Sequence, residues 1–161
     1  MIRAARPADH ERIDQLTVAA FKGGIEVEII HRARLEGSVL WEAVTELDDH
    51  IVGHILFTRM TTDRDVSAAA LGPVAIDPSL QSGGHGSALI WAGIDACRGL
   101  GVDVIVLLGH PSYYPRFGFS ASAAEAIRSP YSGSRAFMAL VLTPGVLDRT
   151  LKADYPPAFD G

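Results

Sequence analysis

The segment from about residue 67 to residue 96 constrains the fold most, because its pattern predicts an apolar strand, a glycine-rich loop and a helix in direct succession. Gly83, Gly84 and Gly86 lie in that loop. Glycines at such a junction let several backbone N–H groups face one concavity without crowding by Cβ atoms. The N-terminus of the helix adds about half a positive charge. The loop therefore favours a phosphate or pyrophosphate ligand, although the same glycines also suit a tight turn that binds nothing.

Apolar periodicity elsewhere places this strand–loop–helix unit in the middle of an α/β chain. Two helices are predicted first, one capped by Asp9 and one beginning near Ile25. Strands are predicted on both sides of the loop, over residues 39–47, 51–57, 67–76, 102–108 and 137–142. A short helix from Tyr113 to Arg116 separates the last two of these strands. We expect a mixed α/β layer that forms a single domain over residues 1–161.

Composition and charge limit the class of function. The 161 residues are 48% hydrophobic and 20% charged, which is enough for a sizeable core. The net charge of −5 argues against a nucleic-acid partner bound through its phosphates. No apolar run approaches the ~20 residues of a membrane span, and the N-terminus shows no secretory signal. We therefore expect a cytoplasmic protein that binds neither nucleic acid nor membrane.

The cysteine and histidine content predicts no metal centre. Cys97 is the single cysteine, which excludes an intramolecular disulfide and a multi-cysteine metal site. It lies among small apolar residues of a predicted helix, so we expect a packing role rather than an acyl-cysteine intermediate. The six histidines show no metal-ligand spacing.

Three well-known motifs do not fit the glycine loop. A P-loop needs a lysine beside its last glycine, and no lysine lies near Gly86. A dinucleotide-binding fingerprint needs a third glycine where this chain has Leu89. The Gly-x-Ser-x-Gly elbow of the α/β-hydrolases is missing from the sequence.

The motif that does fit is Gln81-x-x-Gly84-x-Gly86, preceded by the apolar residues 74–76 and by Asp-Pro. It resembles the acetyl-CoA-binding motif of the GNAT acetyltransferase superfamily. Three further segments resemble the same family: the Ile-Val-Gly strand at 51–55, the run 106–119 that ends in Tyr-Tyr-Pro-Arg-Phe-Gly-Phe, and the tail 155–159. The resemblance covers essentially the whole chain and is closest to the YhbS-like acetyltransferases.

The resemblance implies the GNAT fold, an α/β (α+β) fold. Its central sheet is mixed, mostly antiparallel, flanked by helices and splayed between the fourth and fifth strands. Gly72 and Pro73 suit a bulge in the fourth strand, because both residues weaken a ladder. The resemblance also implies acetyl-CoA as the acyl donor, with these residues binding it: Val74, Ala75, Ile76, Gln81, Ser82, Gly83, Gly84, His85, Gly86 and Ser87. At two of these positions we expect less: Gln81 braces the loop or contacts the ligand, and the side chain of His85 is incidental. Ser82 occupies a position where the family usually has glycine. A serine there adds little backbone strain if its φ is negative.

Tyr114 is the candidate general acid, because the family places a tyrosine four residues before the glycine at position 118 to protonate the thiolate of CoA. A phenol, with a pKa of about 10, is a suitable donor to a thiolate. Tyr113 is expected to point about 100° away on a helix, into packing. The general base stays open among His54, His110, Glu28 with its neighbour Glu26, and an ordered water, because residues 68–74 hold no carboxylate.

The implied reaction is acetyl transfer from acetyl-CoA to a primary amine of a small molecule or protein, by direct attack in a ternary complex. The missing carboxylate on the fourth strand keeps a different class open, a non-catalytic acyl-CoA-binding or regulatory module. A fold that has lost its cofactor is a third reading, against which the intact glycine motif argues. By analogy with the family, a homodimer is possible through exposed strands or the tail from Pro144 to Gly161.

Overall fold

The structure is a computed structural model that describes residues 1–160. Its elements, in chain order, are β1 (Ile2–Ala4), α1 (His10–Phe21), α2 (Ile25–Glu36), β2 (Val39–Leu47), β3 (His50–Arg59), β4 (Thr61–Thr62), β5 (Ala68–Ile76), α3 (His85–Gly99), β6 (Val104–Leu108), α4 (Ala121–Ala124), β7 (Ile127–Arg128), β8 (Phe137–Val141) and β9 (Leu151–Asp154). Short 3-10 turns at Pro78–Leu80, Tyr114–Phe117 and Pro157–Phe159 lie near the sites discussed below.

The main sheet has the strand order β1-β2-β3-β5-β6-β8, and only the β5–β6 pair is parallel. A second small sheet has the order β4-β9-β7. Neighbouring residues of β3 show that helices cover both faces of the main sheet: Ile55 packs in the cluster that includes Leu89 of α3, whereas Leu56 packs in the cluster that includes Ile13 of α1. These findings confirm the predicted mixed, mostly antiparallel sheet flanked by helices.

The splay was predicted between the fourth and fifth strands of the family's sheet. These strands are β5 and β6 here, because the short β4 belongs to the other sheet. The two strands pair only from Ala68 to Ala70 with Val104 to Val106. Ile55 of β3 pairs with Val74, but Phe57 pairs with Leu71, so β5 carries one extra residue at Gly72-Pro73. This β-bulge is the one predicted from the glycine and proline. Beyond it, β5 keeps its hydrogen bonds to β3 on one edge and leaves its other edge open to the gap.

Helix α3 packs closely on β3, and this contact fixes the direction of the helix. Its buried face includes Leu89, Ile94 and Cys97. A Cβ at Gly93 would lie 2.2 Å from Cε2 of Phe57, so only glycine allows this approach. Burial raises the pKa of the Cys97 thiol to about 12, which agrees with a packing role.

The predicted element order omitted β1, β4, β7 and β9, which are too short for an apolar alternation to reveal. The tail is also more ordered than expected. It adds β9 to the small sheet, and Arg32 of α2 donates hydrogen bonds to the carbonyls of Pro157 and Asp160. The described part of the tail thus packs on its own chain, and its role in a homodimer stays a prediction. Gly161 lies outside the described residues.

Within residues 1–160, no helix is both long and apolar enough to cross a membrane.

The contact between α3 and β3 predicts a sharp difference between two glycine substitutions in the same helix. Gly93→Ala should lower the free energy of unfolding by about 1–3 kcal/mol, because the new methyl group collides with Phe57. Gly99→Ala is the matched control, since a Cβ there meets nothing within 4 Å. Urea unfolding followed by circular dichroism measures both, and equal stability of the two variants would contradict this packing.

Candidate active site

Two clefts flank the splayed part of β5, and both contain predicted site residues. The loop cleft has a volume of about 510 Å³ and is lined by Ile76, Leu80, Gln81, Ser82, Gly84, His85, Gly86, Ser87, Tyr113 and Arg116. The splay cleft has a volume of about 790 Å³ and its lining includes Leu71, Gly72, Pro73, Val74, Leu108, Gly109, His110, Pro111 and Tyr114. Strand β5 contributes to both clefts, whereas Tyr113 lines the loop cleft and Tyr114 lines the splay cleft.

The loop cleft is built around the free N-terminus of α3. Gly84 is the residue before the helix and adopts φ +87°, a conformation that glycine favours. The first helical amide to find a backbone acceptor within the helix is that of Ala88, which donates to the carbonyl of Gly84. No side chain caps the helix. The N–H groups of His85, Gly86 and Ser87 therefore point out of the helix end, where they and the helix dipole favour an anion.

Gln81 and Ser82 shape the loop before α3. The side-chain amide of Gln81 donates a hydrogen bond of 3.3 Å to the carbonyl of Ile76, which supports the bracing role. Ser82 has φ +70°, so the condition under which a serine here would cost little is not met. A residue with a Cβ in this left-handed region costs about 1 kcal/mol relative to glycine.

Tyr113 and Arg116 belong to the loop cleft, which the sequence analysis missed. The Tyr113 hydroxyl lies 3.1 Å from Oγ of Ser87, and the guanidinium carbon of Arg116 lies 4.3 Å from the centre of the Tyr113 ring. Tyr113 does pack on Phe117, as expected, but its other end faces the cleft. The spacing of three residues in a 3-10 turn stacks Arg116 over Tyr113, and this spacing was readable from the sequence.

Tyr114 lies in the splay cleft, on the opposite side from Tyr113. Its ring packs against the backbone of Gly109, where a Cβ would lie 2.3 Å from Cε2 of Tyr114. Edge-on contacts with Tyr113 and Phe119 hold the ring in place. Burial raises the pKa of Tyr114 above its usual value, and the neighbouring Tyr113 adds to this effect. The phenol therefore stays protonated at neutral pH and can act as a proton donor.

His54 lies at neither cleft, although it was a candidate for proton transfer. It is fully buried in β3, and its Nε2 lies 2.7 Å from Oε2 of Glu42, which also pairs with Arg34 of α2. Burial by itself would raise the pKa of Glu42, but the hydrogen bonds from His54 and Arg34 outweigh it and lower this pKa to about 2. His54 is thus a structural partner of a partly buried carboxylate.

The other two candidates for proton transfer, His110 and Glu28, differ in whether they line the splay cleft. His110 follows β6 and lies at the exposed mouth of the splay cleft. Glu28 is exposed on α2 and does not line the cleft, whereas Glu26, two residues earlier, does. The sequence contains a signal for this choice. Glu26 lies four residues before Ile30 and seven before Ala33, the buried positions of α2, and so shares their face.

The splay cleft also has a wall of aromatic side chains that the sequence analysis did not anticipate. We define the aromatic wall as Phe21, Tyr131, Tyr155 and Phe159, all of which line the cleft. They come from the end of α1, the loop before β8 and the tail. Only the tertiary fold brings these distant positions together.

Residues 9–119 match the model of the acetyltransferase (GNAT) family. The uncharacterized N-acetyltransferase YhbS of Escherichia coli K12 is 27% identical over 136 residues, which are 83% of this chain and 81% of YhbS. The crystal structure of Escherichia coli YhbS in complex with CoA matches with a TM-score of 0.92 and 27% identity, over 100% of this chain and 92% of that one. A GNAT-family acetyltransferase from Brucella melitensis, in complex with acetyl-CoA, matches with a TM-score of 0.85 and 32% identity, over 99% and 97%.

The ion-paired, partly buried Glu42 predicts a distinct loss of stability in acid. Its folded pKa of about 2 lies below the ordinary value of 4.5, so its contribution is complete above about pH 5 and is lost as the pH falls towards 2. Glu42→Gln should therefore flatten the decline of the free energy of unfolding between about pH 5 and pH 2, while lowering stability at pH 7. The exposed Glu28→Gln is the control and should follow the wild-type curve. Parallel curves for Glu42→Gln and the wild type, in urea unfolding at several pH values, would contradict this assignment.

Proposed function

The chain belongs to the acetyltransferase (GNAT) family, and we propose that it transfers the acetyl group of acetyl-CoA to a primary amine by direct attack in a ternary complex. Use of acetyl-CoA follows from this membership together with the CoA and acetyl-CoA bound in the two solved relatives. One observation carries the proposal: the two adjoining clefts hold three features that an acetyl-CoA-dependent transfer needs. The loop cleft holds the free N-terminus of α3, the open edge of β5 borders both clefts, and the Tyr114 hydroxyl lies in the splay cleft. The acceptor is a small molecule or a protein amine.

The pyrophosphate of CoA is proposed to bind in the loop cleft. The exposed N–H groups of residues 85–87 and the helix dipole favour its negative charge. Arg116 adds a guanidinium on the facing wall, oriented by its stacking on Tyr113. The backbone of residues 82–84 is proposed to complete the cradle, and Ser82 and Gly84 of this stretch line the cleft.

The pantetheine arm is proposed to run from the loop cleft into the splay cleft along residues 74–76. These residues pair with β3 on one edge only, so alternate backbone groups on the other edge are free to bind an amide-containing chain. A backbone N–H near Val74 then faces the thioester oxygen. One such donor aimed at a developing oxyanion typically lowers the barrier by about 3 kcal/mol.

The reaction needs three proton transfers. The neutral amine attacks the thioester carbonyl carbon, the C–S bond breaks, and the departing thiolate takes the proton of the Tyr114 hydroxyl. The attacking nitrogen loses one proton before the attack, as the ammonium becomes an amine, and this proton leaves through the general base. It loses a second proton as the amide forms, and this proton restores the Tyr114 hydroxyl. His110 is the remaining histidine candidate for accepting a proton, because it lies at the cleft mouth whereas His54 is enclosed in the sheet.

Tyr114→Phe tests the proposal and separates an enzyme from an acyl-CoA-binding module. The ring is kept, so folding and acetyl-CoA affinity should hold, while kcat for thiol release should fall by about 100-fold because the proton donor is gone. Tyr113→Phe is the matched control, and we expect its kcat to stay within about threefold of the wild type, since its hydroxyl faces Ser87 in the other cleft. Turnover is measured with an amine panel, and the Kd for acetyl-CoA by calorimetry. Wild-type kcat in Tyr114→Phe would overturn the assignment, and binding without turnover of any amine by the wild type would favour the module.

A further inference from the structure

The lining of the splay cleft is mostly apolar, and its character indicates which amines fit. Tyr155 stands at the centre of the aromatic wall. Its ring centre lies 5.3 Å from that of Tyr131, at 90°, and 5.1 Å from that of Phe159, at 62°. These edge-to-face contacts hold the rings in fixed orientations, so the wall is already formed before an acceptor arrives. Such a wall offers ring faces and edges to an apolar or aromatic body.

The charge in this cleft is small and of one sign. Among its lining residues in the described part of the chain, Glu26 is the only carboxylate, and neither lysine nor arginine occurs. Tyr114 and Tyr155 remain neutral, since burial raises the pKa of both phenols. The cleft thus matches one positive charge and provides no lysine or arginine partner for an anion.

From these features we propose that the acceptor is a primary monoamine on an apolar, preferably aromatic, body. Glu26 binds its ammonium group on entry, and the body packs on the aromatic wall. This inference rests on the proposed function, and it narrows the acceptor of the same reaction. Proton transfer and C–S cleavage proceed as described for that function, and Glu26 is a binding residue.

Three other kinds of amine fit this cleft less well. A polyamine carries several cations, for which the lining offers one carboxylate and mostly apolar surface. An aromatic amino acid has the right body, but its carboxylate finds no cation and is repelled by Glu26. A lysine-rich peptide adds further cations and a polar backbone that the aromatic wall cannot hydrogen-bond.

The test compares four amines with the wild-type enzyme and acetyl-CoA, with thiol release as the readout. We expect kcat/KM for 2-phenylethylamine to exceed that for spermidine and for free phenylalanine by about 100-fold or more, because charge and body must both match. The value of kcat/KM for hexylamine should lie between that for 2-phenylethylamine and those for spermidine and phenylalanine, since hexylamine has the single charge and an apolar body without a ring. Calorimetric titration of the enzyme–CoA complex with 2-phenylethylamine gives a readout of binding that does not depend on turnover.

Two substitutions assign the effect to the two parts of the site. Glu26→Gln should raise KM for 2-phenylethylamine by about tenfold and leave kcat within about twofold, since it removes an ion pair from binding. Glu28→Gln, on the same helix but outside the cleft, should change neither. Phe21→Ala tests the wall, because Phe21 is 41% exposed and its truncation should not prevent folding. This substitution should lower kcat/KM for 2-phenylethylamine by a larger factor than kcat/KM for ethylamine.

The outcomes separate this inference from the proposed function. Acetyl-CoA binding together with better acetylation of spermidine than of 2-phenylethylamine would overturn the inference alone. So would acetylation of spermidine or phenylalanine with no acetylation of 2-phenylethylamine or hexylamine. Equal effects of Glu26→Gln and Glu28→Gln would also overturn it. Failure of the wild type to bind acetyl-CoA would instead remove the proposed function on which the inference rests.

Discussion

The extra residue that β5 carries at Gly72-Pro73 is the constraint on which the rest of the site depends. A parallel ladder between β5 and β6 cannot continue past it, and pairing stops at Ala70. The strands then diverge and leave an open backbone edge that faces a cleft. In a protein whose sheet is otherwise covered by helices on both faces, this gap is where backbone hydrogen-bonding groups are available to a ligand.

The two clefts are coupled by the same short stretches of chain. Strand β5 continues from the splay cleft to the loop cleft, and the chain turns after it into the free N-terminus of α3. Across the gap, Tyr113 and Tyr114 point to opposite clefts, with Gly109 making room for the Tyr114 ring. An anionic group in the loop cleft and a reactive group in the splay cleft can therefore belong to one extended ligand, which is the arrangement we propose for acetyl-CoA.

Much of the fold was predictable because its signals are local. Apolar periodicity placed the main helices and strands, and glycine and proline marked the bulge at Gly72 and the loop before α3. What failed depends on tertiary contacts: the pairing of His54 with Glu42 joins adjacent strands, and the aromatic wall joins positions from Phe21 to Phe159. That Glu26 rather than Glu28 faces the cleft could have been predicted from the sequence, because Glu26 shares the helical face of the buried residues of α2.

The most direct test of the account is a titration of the ¹⁵N-labelled protein with acetyl-CoA, followed residue by residue through its backbone amide signals. The proposed binding mode predicts the largest shifts at residues 82–87, where the pyrophosphate meets the helix end, and at residues 74–76, where pantetheine meets the open strand edge. NAD at the same concentration should leave these signals in place. Largest shifts elsewhere, or an unchanged spectrum with acetyl-CoA, would contradict it.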